Sequence, residues 1–286
     1  MLPLKILTWN VEHFYGGGGS DTATRQKRRN RLKRIVEYLK EEDPDVFGIS
    51  EVSSGFVYQA MVEAFPNHTF NITTGQQSQQ ILIGVRSGLG AFFTQKDEFK
   101  RNNIYLRPGA LLTVHDNGVH IPILFVHLKS MTAPEGFGLR DAMYERIFSL
   151  KNALDDAAQA MTGNDDESAN FIVLGDYNTM GMKYYRNIGN ISLNREIEVL
   201  EKRMRSRDMR MASKSHPNSY WPGSSSSIDP SPLDHVFVAD HMTLKQTAGK
   251  EVKVKGWAEL NTDSERDEWT EKWSDHAPLV FTVTGV

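Results

Sequence analysis

Short apolar, β-prone runs recur along the chain and predict strands, while apolar positions three or four apart predict helices. Residues 5–9 (KILTW) read as a first short strand, and Tyr15-Gly16-Gly17-Gly18-Gly19-Ser20 after it as a mobile loop. Leu32, Ile35, Val36 and Leu39 then recur at helical spacing among arginines and lysines, which predicts an amphipathic helix over 25–41. Asp43-Pro44 stops it, and residues 46–49 follow as a second strand ending at Glu51. Further strands are predicted at 81–85, 110–114, 121–126, 171–174, 236–238 and 279–283. Leu139, Met143, Ile147, Leu150 and Leu154 mark a second long helix. Many strands interleaved with a few helices describe a layered α/β or α+β domain. The serine run 224–227 with Pro230 and Pro232 makes a flexible connector, but only about fifty residues follow it, too few for an independent core. One domain over 1–286 is therefore expected.

The 39% hydrophobic and 24% charged composition is that of an ordinary globular protein. No apolar run approaches the ~20 residues of a membrane-spanning helix, and MLPLKILTWN lacks the layout of a secretory signal, so a soluble, cytoplasmic monomer without a membrane partner is the default expectation. The absence of cysteine excludes disulfides and thiolate metal sites, so any metal must sit on oxygen or nitrogen. A net charge of −3 argues against a surface that is one polyanion-binding field. Two stretches are nevertheless basic, RQKRRNRLKR (25–34) and the segment from Lys202 to Lys214, and such runs usually form solvated helix faces.

Polar residues collect where the predicted strands end. Asn10 closes the first strand and Glu51 the second, His127 follows 121–126, and Asp176 and Asn178 follow 171–174. Asp234 stands before 236–238, and Asp275-His276 before 279–283. In extended chain, Asp176 and Asn178 share a face while Tyr177 points away. A negative acceptor beside a neutral donor suits gripping a phosphate oxygen while orienting a water, although Asn and Asp also form turns. Singly, Glu51 also reads as a surface acid, Asn10 as a strand-end cap and His127 as a satisfied core histidine. Trp9, Tyr177 and His235 read as structural. Asp275-His276 is the pair least easily dismissed.

Six blocks, LTWN (7–10), SEV (50–52), VHLKS (126–130), GDYNT (175–179), LDHVFV (233–238) and SDHAPL (274–279), occur in the order found in the endonuclease/exonuclease/phosphatase, or DNase I-like, superfamily, which the chain therefore resembles over nearly its whole length. The resemblance implies an α+β fold, a four-layer α/β/β/α sandwich of two mixed sheets packed face to face, with the active site where strand tips meet. By resemblance Glu51 is the principal ligand of a Mg²⁺ or Mn²⁺ ion, with Asn10 beside it and Asp275 assisting. His276 becomes the key imidazole, oriented by Asp234. Asp176 orients the attacking water, Asn178 grips the phosphorane, and His127 resembles the general acid of the DNase branch. Arg107, in LRPGAL, resembles an arginine that steadies the site or a phosphate.

Loops set the substrate in this superfamily, so the fold alone does not name it. Inositol-polyphosphate phosphatases carry an arginine two positions after the asparagine and a tryptophan before the second aspartate, where this chain has Met180 and Ser231-Pro232-Leu233. The HLKS block and the short spacing from GDYNT to LDHV fit bacterial nucleases better. The DNase-type arginine after the metal glutamate is Ser53 here, and the glutamate supporting the first histidine is Gln79, which weakens His127 as an acid. Tyr220 and Trp221 are candidates for stacking on a base or sugar, with buried aromatic packing the favoured alternative, and Arg203, Arg205, Arg207 and Arg210 are candidates for reaching backbone phosphates. Three readings follow: a nuclease using a divalent metal and acting on nucleic acid, the same chemistry on a phospholipid headgroup, nucleotide or other small phosphate ester, and a non-catalytic binding module.

Overall fold

A computed structural model describes residues 3–17, 19–116, 118–186 and 188–286, so Gly18 of the glycine run lies outside the described residues. Among the described residues, thirteen strands form two mixed sheets. In chain order they are β1 (Leu4–Phe14), β2 (Val46–Val52), β3 (His68–Ile72), β4 (Gln80–Arg86), β5 (Gly90–Lys96), β6 (Gly109–Asp116), β7 (Val119–His127), β8 (Ile172–Asp176), β9 (Met209–Met211), β10 (Asp234–Ala239), β11 (Thr243–Leu244), β12 (Lys253–Val254) and β13 (Leu279–Gly285). The first sheet runs β11-β13-β1-β2-β4-β3, with β12 also on β13, and the second runs β5-β6-β7-β8-β10-β9. Each has one parallel pair at its centre, β1 with β2 and β7 with β8, flanked by antiparallel neighbours.

Alternation along the strands sorts side chains between two faces. Ile6, Val46, Ile83, Leu112, Ile123, Phe125, Ile172 and Val236 fill the space between the sheets. Leu7, Phe47 and Leu82 face the other way and pack against Leu32, Ile35 and Leu39 of α1 (Thr22–Glu42) and Val57 and Met61 of α2 (Gly55–Ala64). Leu124, Val126 and Val173 of the second sheet pack likewise against Met143 and Ile147 of α3 (Pro134–Thr162) and Leu200 and Met204 of α4 (Leu193–Arg205). The result is the expected α/β/β/α sandwich, with α5 (Asp263–Lys272) added before β13. Asp21 caps α1 by accepting from the Thr24 amide at 2.8 Å, and Gly163 closes α3 with a φ of +69° that favours glycine.

The sheets approach closely at Gly48, where a Cβ would fall 2.1 Å from Cδ1 of Phe125 across the interface. Gly48→Ala is expected to destabilise the fold by about 1–3 kcal/mol through overpacking, read as a lower urea midpoint at unchanged m-value.

Parallel pairing places the carboxyl ends of β1, β2, β7 and β8 at one end of the sandwich, together with the amino ends of β4, β6, β10 and β13. The first strand is longer than expected: Asn10 lies inside β1, which runs on to Phe14. The sequence reading also missed α2, α4, α5, the edge strands β3 and β5, and the short β9, β11 and β12.

Candidate active site

Two irregularities aim the first pair of functional side chains. Register is lost between Asn10 and Phe14 where β1 meets β2, and between Ile49 and Val52 where β2 meets β4. Such bulges turn a strand's side chains out of the regular pleat. Glu51 takes a φ of +66°, strain of about 1–3 kcal/mol that only a well-determined neighbourhood sustains. On the facing sheet Gly175 has a φ of +129°, and a Cβ there would fall 2.2 Å from the Val126 carbonyl oxygen. Glycine is therefore required for the tip of β8 to lie against β7 and deliver Asp176.

Glu51 is anchored firmly through one oxygen and more weakly through the other, which accepts one long hydrogen bond from Asn10. Oε2 accepts from the His13 amide at 2.8 Å and from the Gln79 side-chain amide. Arg107, a donor only, binds the Gln79 oxygen and so fixes the amide with its NH₂ toward Glu51. Oε1 faces inward, 3.3 Å from Asn10 Nδ2, which also donates to Asp176 Oδ2 at 2.9 Å. The Asn10 Oδ1 atom is buried with no partner among the described residues. Asp275 completes the acidic side: burial raises its carboxyl to about 6, offset in part by the His276 charge and reinforced by Glu12 and Glu51. An unpartnered amide oxygen near a carboxylate whose inward oxygen makes only one long hydrogen bond, with a further acid near, is the donor set a hard divalent cation accepts. These residues fit such an ion.

Opposite stands a hydrogen-bonded cluster. His276 Nδ1 lies 2.7 Å from Asp234 Oδ2. Burial alone would depress this imidazole, but Asp234, with Asp176 and Asp275, holds it well above its ordinary range. The Trp9 indole donates to the His276 carbonyl at 2.8 Å, and Ser274 Oγ accepts the His276 amide while donating to the Asn10 carbonyl. Asp176, Asp234 and His276 offer ligand atoms within 4.8 Å of one another. While it carries both ring protons, His276 has no free ring lone pair to offer a cation, and the cluster then bears a proton.

Asp176 bridges the two halves. Burial raises its carboxyl to about 7, countered by His276 and reinforced by Asp234. Asn178, at φ +51°, donates its backbone amide to Asp176 Oδ1 at 2.8 Å and its side-chain amide to Oδ2 at 2.9 Å and to the Leu128 carbonyl. His127 Nε2 sits 3.5 Å from Asp176 Oδ2 and 3.8 Å from Glu51 Oε1, and its Nδ1 has no partner among the described residues. Burial, aided by Arg107 and His276, lowers this imidazole well below its ordinary range. The expected general acid is thus a neutral ring, able to donate an N–H but carrying no spare proton.

The structure brings together Asn10, Glu51, Arg107, His127, Asp176, Asn178, Asp234, Asp275 and His276. Tyr220 borders them, its ring centroid 5.2 Å from that of His276. Trp221 donates its backbone amide to the Asp275 carbonyl at 2.8 Å, but its ring does not reach the site. Its ring is buried against Trp257 and under Arg266, and its N–H is spent on Asp267, so of its two readings the core role holds and its place as a substrate-binding candidate is withdrawn. In the basic segment Arg203 pairs with Asp141, Arg205 with Glu201 and Arg210 with Glu251, and Arg207 lies over Phe148. Sequence reasoning missed Glu12 and Arg31. Arg31, inside the first basic run, donates to the carbonyls of Glu12 and Trp273, and its position four before Ile35 on the core-facing stripe was the signal.

A sequence profile of the Endonuclease/Exonuclease/phosphatase family matches residues 7–276. No curated protein matches significantly. Solved structures do. The Bacteroides vulgatus endonuclease/exonuclease/phosphatase superimposes with a TM-score of 0.64 at 12% identity, over 100% of both chains. TDP2 of D. rerio, complexed with single strand DNA product, gives 0.62 at 14% identity, covering 99% of each chain. The Bacteroides thetaiotaomicron mannosyl-6-phosphatase gives 0.59 at 14% identity over 98% of this chain and 99% of that one.

Proposed function

The chain belongs to the endonuclease/exonuclease/phosphatase family, and from that premise we propose that it is a Mg²⁺- or Mn²⁺-dependent phosphodiesterase that hydrolyses nucleic acid by one in-line attack of water. Support comes from one juxtaposition: the oxygen donors of Asn10, Glu51 and Asp275 face the His276–Asp234 pair across Asp176. A bound dication would polarise the phosphoryl oxygens and stabilise the departing one. His276, charged and anchored through Nδ1, presents Nε2–H to the phosphoryl group, where charge develops. Asp176, with a carboxyl raised to about 7, is poised to take a proton from the attacking water, and Asn178 keeps it oriented. Neutral His127 donates an N–H toward the departing oxygen, and Arg107 adds positive charge beside Glu51 and Asp176.

Acid should weaken the cation site. Protons taken up by Asp176 near 7 and Asp275 near 6 compete with a dication, so apparent Mn²⁺ affinity is expected to rise with pH, most steeply below about 6, and to level off above about 7. Calorimetric titration at several pH values checks this, and a flat affinity contradicts it.

Ser53 in place of the DNase-type arginine favours a second reading, hydrolysis of a small phosphate ester. A panel of plasmid, single-stranded DNA, RNA and phosphomonoesters, each with Mg²⁺, Mn²⁺ or chelator, separates the two. Metal-dependent cutting of nucleic acid supports the first, and phosphate release from monoesters with nucleic acid intact replaces it with the second.

A further inference from the structure

Exposed apolar side chains gather at the catalytic end. Tyr15, Ile104, Tyr105, Met131, Tyr185 and Ile188 all stand on loops that leave or enter the sheets there. An apolar rim around a charged pocket marks a contact surface. Its best-defined part follows β8. The Tyr184 and Tyr185 rings lie 4.4 Å apart with their hydroxyls hydrogen-bonded at 3.2 Å, and Tyr185 is 74% exposed with Arg186 5.4 Å from its ring centroid. Neither ring belongs to a core cluster.

This pair stands on a braced base. Lys183 donates its backbone amide to the Thr132 carbonyl, which ties the loop to the one that follows His127. Fully buried Arg140 then clamps both, donating to the carbonyls of Lys129, Met131 and Gly181. Its charge is met by Glu196, which also accepts the Gly181 amide. Tyr184 stands six positions after Asn178, at most ~20 Å of chain. Lys129, Lys183 and Arg186 form no ion pair with an acid among the described residues.

We infer that Tyr184 and Tyr185, with Lys183 and Arg186, form a stacking subsite for unpaired bases of a single-stranded nucleic acid flanking the scissile phosphate, an inference that rests on the nucleic-acid reading above. Every base has a face to lay on a tyrosine ring, and the neighbouring cations meet the phosphates between bases. A lipid surface suits the loop less well, because seating Tyr185 in a bilayer would carry the guanidinium over its ring out of water. Duplex DNA keeps its bases stacked and offers the rings little.

The test measures binding of a labelled short oligothymidylate by fluorescence anisotropy, in chelator so that no turnover occurs. The Y184A/Y185A variant is expected to bind roughly tenfold more weakly or worse, and Y184F/Y185F to restore binding, with all three proteins unfolding at similar temperatures. Unchanged affinity in Y184A/Y185A, or an equal loss in Y184F/Y185F, overturns the subsite. So does co-sedimentation with phosphatidylcholine–phosphatidylserine vesicles that the alanine variant loses while its oligothymidylate affinity holds. Failure of hydrolysis in the substrate panel is a separate result, since this binding is read without turnover.

Discussion

Replacing His276 with alanine is expected to lower turnover on the order of 10³-fold or more while leaving a folded protein. The substitution removes the cation that Asp234 holds at 2.7 Å and that offsets the burial of Asp176. Asp176 then binds its proton more tightly and fails as a base near neutral pH. Asp234, buried and without its partner, costs the fold about 1–3 kcal/mol, a fraction of the stability of an ordinary domain. The check is kcat on a small phosphodiester at saturating Mn²⁺, with urea unfolding alongside. Because the defect lies in proton handling and charge stabilisation, raising the metal concentration restores nothing. Near-normal turnover in a folded variant contradicts the role given to His276.

Glu51→Gln should fail in a different way. The His13 amide and the Gln79 NH₂ both donate to Oε2, so the new side chain must turn its own oxygen to that position. Its NH₂ then occupies the place of Oε1 and presents a donor where the cation needs an acceptor. Mn²⁺ affinity is expected to fall on the order of 10²-fold or more, since perturbing even the surroundings of a ligand costs that much. Part of the turnover returns at high Mn²⁺, unlike that of His276→Ala. Calorimetric titration of both variants separates the two effects, and parent-like Mn²⁺ affinity in Glu51→Gln removes Glu51 from the metal site.

The sequence was most legible where burial enforces a period. Leu32, Ile35 and Leu39 announced α1, and the β-branched runs announced the central strands because those are buried on both faces. Elements without that constraint escaped. β3 and β5 are edge strands with few buried positions, and α5 buries no residue, so its signal reduces to the capping box of Thr262 and Glu265. In α4 the buried Leu200 and Met204 were masked by arginines that pair with acids nearby.

The polar residues at strand ends were legible for a related reason: a buried strand has no packing use for Asp176 or His276 at its tip. What could not be read was local aim. Glu12 lies in the bulge after Asn10, where alternation no longer tells which face a residue takes. The state of His127 depends on burial beside Arg107, and the fate of Trp221 on an Asp267 contact 46 positions away, neither of which a strand pattern encodes.

Anomalous diffraction from crystals of the protein soaked in Mn²⁺ locates the ion without reference to any substrate. A peak between Asn10 Oδ1 and Glu51 Oε1, with Asp275 alongside and His276 still bonded to Asp234, is the expected result. A peak seated instead among Asp176, Asp234 and His276, or none at all at saturating metal, contradicts the division of this pocket into a cation half and a proton half.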